Sequence, residues 1–204
     1  MQIFFDQKLV FLAVPKAGST SCEAAFRRFA SVDVISPPGR RHMTSRRFQR
    51  TLRAKLEREH KSRFETFAVL RDPLDRIASW FRYRKRQGSN KSTAGLTFDE
   101  FVRLTLHDCP PPAAKIGSQD CFVKSEFGDI LVDHLFCIEN PAPFIAFATD
   151  RFQFPIILEH LNKSPAIDMT LSEEIKSLFK KYREREFELY SKVRDVGHLR
   201  RPIK

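Results

Sequence analysis

The segment best suited to chemistry in this 204-residue chain is a short loop of small and polar residues, Pro15-Lys16-Ala17-Gly18-Ser19-Thr20-Ser21. It follows the apolar run 9–14 and precedes a helical pattern that begins at Cys22. Backbone N–H groups of such a loop converge on one spot, where the dipole of the following helix adds positive potential. Lys16 adds a mobile positive charge. The loop therefore predicts a binding site for a phosphate or sulfate group.

The order of residues in this loop separates it from the loop of nucleoside triphosphatases. That loop ends in Gly-Lys-[Ser/Thr], whereas Lys16 precedes Gly18 by two residues. The sequence also lacks an evident apolar run that ends in a metal-binding aspartate. Magnesium-dependent hydrolysis of a nucleoside triphosphate is therefore disfavoured.

A second charged segment follows a predicted strand and opens a predicted helix: Arg71-Asp72-Pro73-Leu74-Asp75-Arg76-Ile77-Ala78-Ser79-Trp80-Phe81. Together, the two segments resemble the nucleotide-binding motifs of the sulfotransferases that use 3′-phosphoadenosine-5′-phosphosulfate (PAPS). The loop is similar to their 5′-phosphosulfate loop. The second segment is similar to their 3′-phosphate motif, R-D-P-x-x-R-x-x-S-x-[FY]. The resemblance is closest to the carbohydrate-type branch, which includes many short bacterial members.

This resemblance implies PAPS as the sulfuryl donor, with no metal required. It places the 5′-phosphosulfate on the loop residues Lys16, Ala17, Gly18, Ser19, Thr20 and Ser21. It assigns Arg71 and Ser79 to the 3′-phosphate, which suits a planar donor fork and a hydroxyl. In sulfuryl transfer, charge builds on the leaving phosphate oxygens, and we expect Lys16 to neutralise it.

The acceptor hydroxyl must lose its proton during attack, so a general base with a pKa near neutral is useful. Of the six histidines, His42 is the best placed, because it follows the second predicted strand on the side where parallel α/β proteins build their sites. In carbohydrate-type relatives a histidine at this point serves, or is proposed to serve, as the base, and others use a glutamate. Glu23 and Asp120 are the alternatives here.

Several side chains near these motifs have open or secondary assignments. Arg76 has two interpretations, a contact with the same phosphate or an ion pair with Asp72 or Asp75, and Asp72 itself is expected to start the helix. Gln119 is a candidate for contact with the acceptor. The fourth strand of the carbohydrate branch often reads R-x-E, but Cys137 stands where that arginine would be.

The elements that position these residues alternate along the chain. Apolar runs predict strands at 9–14, 31–35, 67–70 and 135–138, and helical patterns lie at 22–29, 45–60, from 73 onward, 98–107 and 171–183. Capping boxes at 97–100 and 170–173 support the last two helices. This alternation predicts an α/β fold, a P-loop-like single domain over residues 1–204 with a central parallel sheet flanked by helices.

The net charge of +11 is concentrated in two segments. Residues 40–63 have ten Lys or Arg against two acids, a net of +8, and residues 71–91 have seven against two, a net of +5. The rest of the chain therefore sums to −2, which indicates a localised site for a polyanion. The excess at 46–63 also favours an acidic acceptor. For Arg200 and Arg201 we expect a disordered basic tail rather than a segment that closes over the nucleotide.

Several other classes are excluded or disfavoured. The longest apolar run has six residues, far fewer than the about 20 of a membrane-spanning helix. A signal-peptide pattern is missing, which favours a cytoplasmic location. The four cysteines have no metal-ligand or C-x-x-C spacing. We expect free, mostly buried thiols, with a Cys109–Cys121 bridge left open.

The sequence thus predicts a PAPS-dependent sulfotransferase that modifies an acceptor hydroxyl, most simply that of a saccharide. Residues 88–128, a loop, a helix and a proline-rich break, are where we expect acceptor contacts. The rival classes are a basic nucleic-acid-binding module and a P-loop kinase-like phosphotransferase. One Trp and three Tyr make a poor stacking platform for single strands, so no nucleic acid is expected as partner. The sequence does not indicate an oligomeric state.

Overall fold

The computed structural model describes residues 1–85, 92–159 and 169–201. The strands are β1 (Gln2–Phe4), β2 (Leu9–Phe11), β3 (Val32–Asp33), β4 (Glu65–Leu70), β5 (His134–Cys137) and β6 (Leu199–Arg200). The helices are α1 (Ser19–Phe26), α2 (Pro38–Arg41), α3 (Ser45–Phe48), α4 (Ala54–His60), α5 (Pro73–Lys85), α6 (Phe98–Thr105), α7 (Gln119–Val123), α8 (Ala142–Phe152), α9 (Glu173–Tyr182) and α10 (Glu184–Val196). A π-helical turn (Gln49–Arg53) joins α3 to α4, and a 3₁₀ turn (Arg27–Phe29) follows α1.

The six strands of the described residues form one mixed sheet in the order β3-β1-β2-β4-β5-β6. The pairs β2–β4 and β4–β5 are parallel, whereas β1–β2, β1–β3 and β5–β6 are antiparallel. The expectation of a parallel sheet is therefore correct for the three central strands and wrong for the rest. At one edge the chain turns back from β1 into β2, and β3 then pairs with β1, so both pairings are antiparallel. At the other edge β6 runs back along β5.

The two faces of the sheet differ in composition. One face is rich in phenylalanine, where Phe4, Phe11 and Phe67 pack against Phe26 of α1 and Phe144 of α8. The other face is mainly aliphatic and is covered by the helical stretch 45–60 and by α10. Helices on both faces bury β2 and β4 completely, apart from the half-buried start of β4, which explains why these strands read as continuous apolar runs.

Most predicted elements appear near their expected positions. The strand predicted at 9–14 is shorter in the structure, where β2 ends at Phe11 and only the Leu12 N–H continues the pairing, with a bond of 2.9 Å to the Phe67 carbonyl. The helix predicted at 45–60 contains the π-helical turn. The capping box at Thr97 is present, but Ser172 rather than Thr170 caps α9. Arg86, Lys91, residues 88–91 of the predicted loop and His160 lie outside the described residues.

The C-terminal pair Arg200 and Arg201 is neither a disordered tail nor a cover for the nucleotide. Arg200 pairs with His134 at the start of β5, and the Arg201 backbone N–H donates to the Asp133 carbonyl at 2.9 Å. This contact lies at the amino end of β5, opposite to the edge at which β2 and β4 end. The pairing is antiparallel, so a two-residue strand suffices to order the segment.

Two findings concern the broader expectations. Among the described residues, none of the helices is long and apolar enough to cross a membrane. All four cysteines are free, so Cys109 and Cys121 do not form a bridge. Cys22 and Cys137 are buried, whereas Cys109 and Cys121 are exposed, so the expectation of mostly buried thiols holds for only two of them.

Candidate active site

The loop 15–21 connects β2 to α1 at the carboxyl edge of the central strands. Lys16 has a φ of 65° and Gly18 a φ of 73°, and the left-handed conformation at Lys16 is strained because it has a side chain. Gly18 caps α1 without a side-chain hydrogen bond, and the first turn of α1 contains no acidic residue. The first turn of α1 thus supplies no carboxylate of its own to its N–H groups, which suits an anion.

Gly18 is also required by close packing. A Cβ atom at this position would lie 3.0 Å from the side chain of Ile138, which follows β5. No side chain fits there without a shift of the loop or of Ile138. The neighbours Ala17 and Ser19 are buried, Ser21 is half-buried and Thr20 is exposed. The end of β5 therefore shapes the loop, although its sequence lacks the arginine expected of an R-x-E strand.

The side chain of Lys16 lies against α5. Its Nζ is 4.2 Å from the centroid of the Tyr83 ring and 6.0 Å from that of Trp80. Both distances are within the range of cation–π attraction. The loop lysine and the helix of the second motif therefore lie together, which neither motif shows by itself.

Arg71 directly follows β4, and the Gln119 side chain fixes its backbone. Gln119 of α7 accepts from the Arg71 N–H at 2.8 Å and donates to the Arg71 carbonyl at 2.7 Å. Both the oxygen and the nitrogen of the Gln119 side-chain amide are therefore engaged with the main chain of Arg71. Asp72 starts α5 as expected, accepting from the N–H groups of Leu74 and Asp75. Ser79 lies half-buried in the second turn of α5.

The end of β5 supports the second motif as well as the first. One carboxylate oxygen of Glu139 accepts from the Asp72 N–H at 2.9 Å, and the other accepts from the Tyr190 hydroxyl at 3.2 Å. Cys137 is buried and lies 3.9 Å from the Tyr190 carbonyl oxygen. Burial raises the pKa of Cys137 to about 12, so this thiol is a packing residue rather than a substitute for an arginine.

Arg76 does not form the predicted ion pair with Asp72 or Asp75 in the described structure. Its guanidinium donates to the Pro15 carbonyl at 3.1 Å, to the Gly117 carbonyl at 2.9 Å and to Glu186 at 3.2 Å. Arg76 and Glu186 are 6 % and 3 % exposed, so this is a buried ion pair. The Glu186 carboxylate also accepts from the Gln119 N–H at 3.0 Å. Sequence reasoning missed this junction because Glu186 lies 110 residues from Arg76.

His42 follows β3 and α2 and reaches the end of β2. Its Nδ1 lies 2.8 Å from the carbonyl oxygen of Ala13, two residues before the loop. A carbonyl oxygen only accepts, so Nδ1 holds the proton and the neutral ring keeps a lone pair on Nε2. Burial lowers the pKa of His42. The ring is thus held neutral, in the tautomer that a general base needs, beside the proposed sulfuryl site.

The sheet topology explains this position in a way the sequence does not. β3 is antiparallel to β1, which is antiparallel to β2. β3 therefore runs in the same direction as β2, and its carboxyl end lies at the same edge. The prediction for His42 assumed a parallel strand, and two successive antiparallel pairings give the same result.

The two alternative bases differ sharply in availability. Glu23 is 3 % exposed and is held by the Met1 amino group at 3.2 Å and by the Arg41 guanidinium. Its carboxylate is already neutralised by two cations. Asp120 is 8 % exposed, and its carboxylate has no hydrogen bond or ion pair within residues 1–85, 92–159 and 169–201. Asp120 therefore remains the one alternative.

Beside His42 lies a surface of exposed arginines. Arg40, Arg46, Arg47 and Arg50 are exposed, and they form no ion pair in the part of the chain that the structure describes. Some other basic residues of 40–63 are paired, among them Arg53 with Glu57 and Arg63 with Asp133. Four of the six basic residues of this segment that have no ion pair in the described structure are thus on its His42 side.

The comparisons with known proteins agree with this geometry. A family model described as "Sulfotransferase family" matches residues 2–127. This range contains the loop 15–21, His42 and the second motif 71–81. A search of curated proteins found no match.

Proposed function

The chain belongs to the sulfotransferase family, whose members generally take a sulfuryl group from PAPS, and we propose that this enzyme transfers the group to a carbohydrate hydroxyl. The observation that carries this proposal is the junction of the two motifs. Lys16 of the loop contacts Tyr83 of α5, and Arg76 of α5 holds Pro15 of the loop. One ligand with phosphate groups at both ends fits such a pair of tied anion sites.

The donor is assigned to the residues at these two ends. The loop residues 16–21 hold the 5′-phosphosulfate through backbone N–H groups, hydroxyls and the Lys16 ammonium. Arg71 and Ser79 hold the 3′-phosphate. One feature supports the fit, the buried, unpartnered Nε of Arg71. In this proposal β2, the loop 15–21 and α1 form a P-loop-like phosphate-binding unit, and residues 1–204 form a single domain.

The transfer itself is an in-line displacement. The acceptor oxygen forms a bond to sulfur while the bond from sulfur to the bridging phosphate oxygen breaks. The acceptor proton moves to Nε2 of His42, and adenosine 3′,5′-bisphosphate leaves. Lys16 stabilises the charge that develops on the leaving phosphate oxygens. No step in this scheme requires a metal.

The acceptor is proposed to be anionic. Arg40, Arg46, Arg47 and Arg50 give the approach to His42 a positive potential without acidic partners. Such a surface attracts and orients an acidic saccharide.

A screen with ³⁵S-labelled PAPS tests the proposal. We expect label to appear in saccharides, most strongly in those with carboxylate or sulfate groups, and less in a tyrosine peptide or a small alcohol. Equal transfer to neutral and anionic saccharides would refute the proposal that the acceptor is anionic. Turnover with ATP and magnesium but not with PAPS would favour the kinase-like class. Tight binding of oligonucleotides at physiological salt, without binding of the bisphosphate, would favour the nucleic-acid module.

A further inference from the structure

Two arginines of the second motif have unusual surroundings. The Nε atoms of Arg71 and Arg82 are buried and have no hydrogen-bond partner. Neither side chain forms an ion pair or donates a hydrogen bond within the described residues. Arg76 and Arg84, on the same helix as Arg82, are in contrast fully engaged with carbonyl oxygens and, for Arg76, with Glu186. Buried donors are rarely left unpartnered, so a missing acceptor is indicated.

The helix places these donors together. Ser79 and Arg82 are three residues apart in α5 and therefore share one face. Arg71 precedes the same helix at the end of β4. The three side chains form a set of two guanidiniums and one hydroxyl, which we call the arginine pair site.

No nearby carboxylate of the described residues forms an ion pair with the arginine pair site. Asp75 lies on the same face of α5, but it is exposed and forms no ion pair with either arginine in the described structure. The carboxylate of Asp72 is occupied by two backbone N–H groups. Burial and the positive charge of Arg71 both lower the pKa of Arg82, and the negative charge of Asp75 offsets only part of this by raising it. Two like charges that repel each other in this way destabilise the free protein and favour an anion that binds both.

We propose that Arg82 completes the 3′-phosphate site with Arg71 and Ser79 and so selects nucleotides that have a 3′-phosphate. This inference rests on the proposed function. A phosphate monoester fits the set because its dianion balances two guanidiniums and its oxygens accept from both donor forks. Neither the resemblance nor the family match assigns a role to Arg82.

Calorimetric titration with two nucleotides tests this role. Adenosine 3′,5′-bisphosphate contains the 3′-phosphate, and AMP lacks it. We expect Arg82→Gln to weaken binding of the bisphosphate by about tenfold to a hundredfold, since a charge-assisted hydrogen bond contributes about 1.5–3 kcal/mol. Binding of AMP is expected to change by less than about twofold. Lys85→Gln, which removes an exposed charge from the same helix, is the control and is expected to bind both nucleotides normally.

The outcomes separate the inference from the function. If the wild type binds the bisphosphate and Arg82→Gln binds it equally well, the role of Arg82 is wrong and the proposed function stands. Equal weakening of both nucleotides would also overturn it, because it would mark a general loss of structure. Arg82→Lys keeps the charge but lacks the planar pair of donors, so its affinity for the bisphosphate is expected to lie between those of the wild type and Arg82→Gln. Absence of bisphosphate binding by the wild type would refute the proposed function itself.

Discussion

The Nε of Arg76 donates a hydrogen bond of 3.1 Å to the carbonyl oxygen of Pro15. This bond joins the second motif to the first across 61 residues of sequence. The same guanidinium is paired with Glu186 of α10, and that carboxylate also holds the N–H of Gln119. One buried ion pair thus fixes the relative positions of the proposed 5′ and 3′ ends of the nucleotide site.

Arg76→Met tests this arrangement. Removal of the guanidinium leaves the buried carboxylate of Glu186 without its cation. Loss of one partner of a buried pair costs about 3–5 kcal/mol, so we expect the free energy of unfolding to fall by this amount. Urea unfolding followed by circular dichroism measures it.

An exposed ion pair provides the matched control. Arg103 and Glu174 are 3.8 Å apart with side chains 53 % and 70 % exposed, and Arg103→Met is expected to cost less than about 1 kcal/mol. Equal losses in the two variants would show that Arg76 does not hold the site together.

His42 predicts a specific pH profile. Its pKa is lowered by burial, so the ring stays neutral below the ordinary value of about 6.5. The base acts when it is deprotonated. The acid limb of kcat is therefore expected below pH 6.5, and His42→Ala is expected to reduce kcat by about a hundredfold or more with little change in bisphosphate affinity.

Asp120→Asn is the comparison for His42. We expect this variant to retain the acid limb of the wild type. An unchanged rate in His42→Ala, together with a large loss in Asp120→Asn, would transfer the role of base to Asp120.

A pair of histidines lies at the opposite end of the sheet. Nδ1 of His134 is 3.0 Å from Nε2 of His198, and His198 stacks on Phe136. Burial lowers the pKa of His134, and Arg151 and Arg200 lower it further, although Glu65 and Asp133 act to raise it. Burial, the His134 charge and Arg200 lower the pKa of His198 to about 4.

This pair makes stability depend on pH. Between the pKa of about 6.5 for an unfolded histidine and the pKa of about 4 for His198 in the folded protein, the unfolded chain binds a proton that the folded chain does not. Stability is therefore expected to fall as the pH decreases through this range. His198→Phe keeps the ring stacking and is expected to reduce the fall, as measured by urea unfolding at pH 7 and pH 5. The His107→Gln variant, changed at an exposed histidine, should lose as much stability as the wild type between pH 7 and pH 5. If His198→Phe lost as much stability as the wild type over this range, His198 would not be the cause of the pH dependence.

The sequence was sufficient for elements with strong local signals. Pro73 begins α5 as predicted, and Thr97 caps α6 through a capping box. Both features depend on residues within one helical turn. The two motifs were predicted for the same reason, since each is a continuous run at the junction of a strand and a helix.

Features that depend on distant residues were not predictable in the same way. β6 has only two residues, and its pairing with β5 depends on the fold rather than on a local pattern. Arg76 and Gln119 have contacts in segments far along the chain, so their types alone suggested ligand binding. The partner of each buried donor is set by tertiary packing, which no local pattern reveals.

Lys16 is the residue on which the proposed chemistry most depends. Its ammonium group is expected to stabilise charge that exists mainly in the transition state, so its loss should reduce kcat more than nucleotide binding. Lys85→Ala removes an exposed charge near the end of α5 and serves as the control. Lys16→Arg keeps the charge and should recover part of the rate.

The most direct measurement is the rate of label transfer from ³⁵S-PAPS to the saccharide that the wild type modifies best, compared with Lys16→Ala. We expect the rate of Lys16→Ala to be lower than that of the wild type by about a hundredfold or more, while the variant still binds adenosine 3′,5′-bisphosphate. Transfer by Lys16→Ala at the wild-type rate would contradict it.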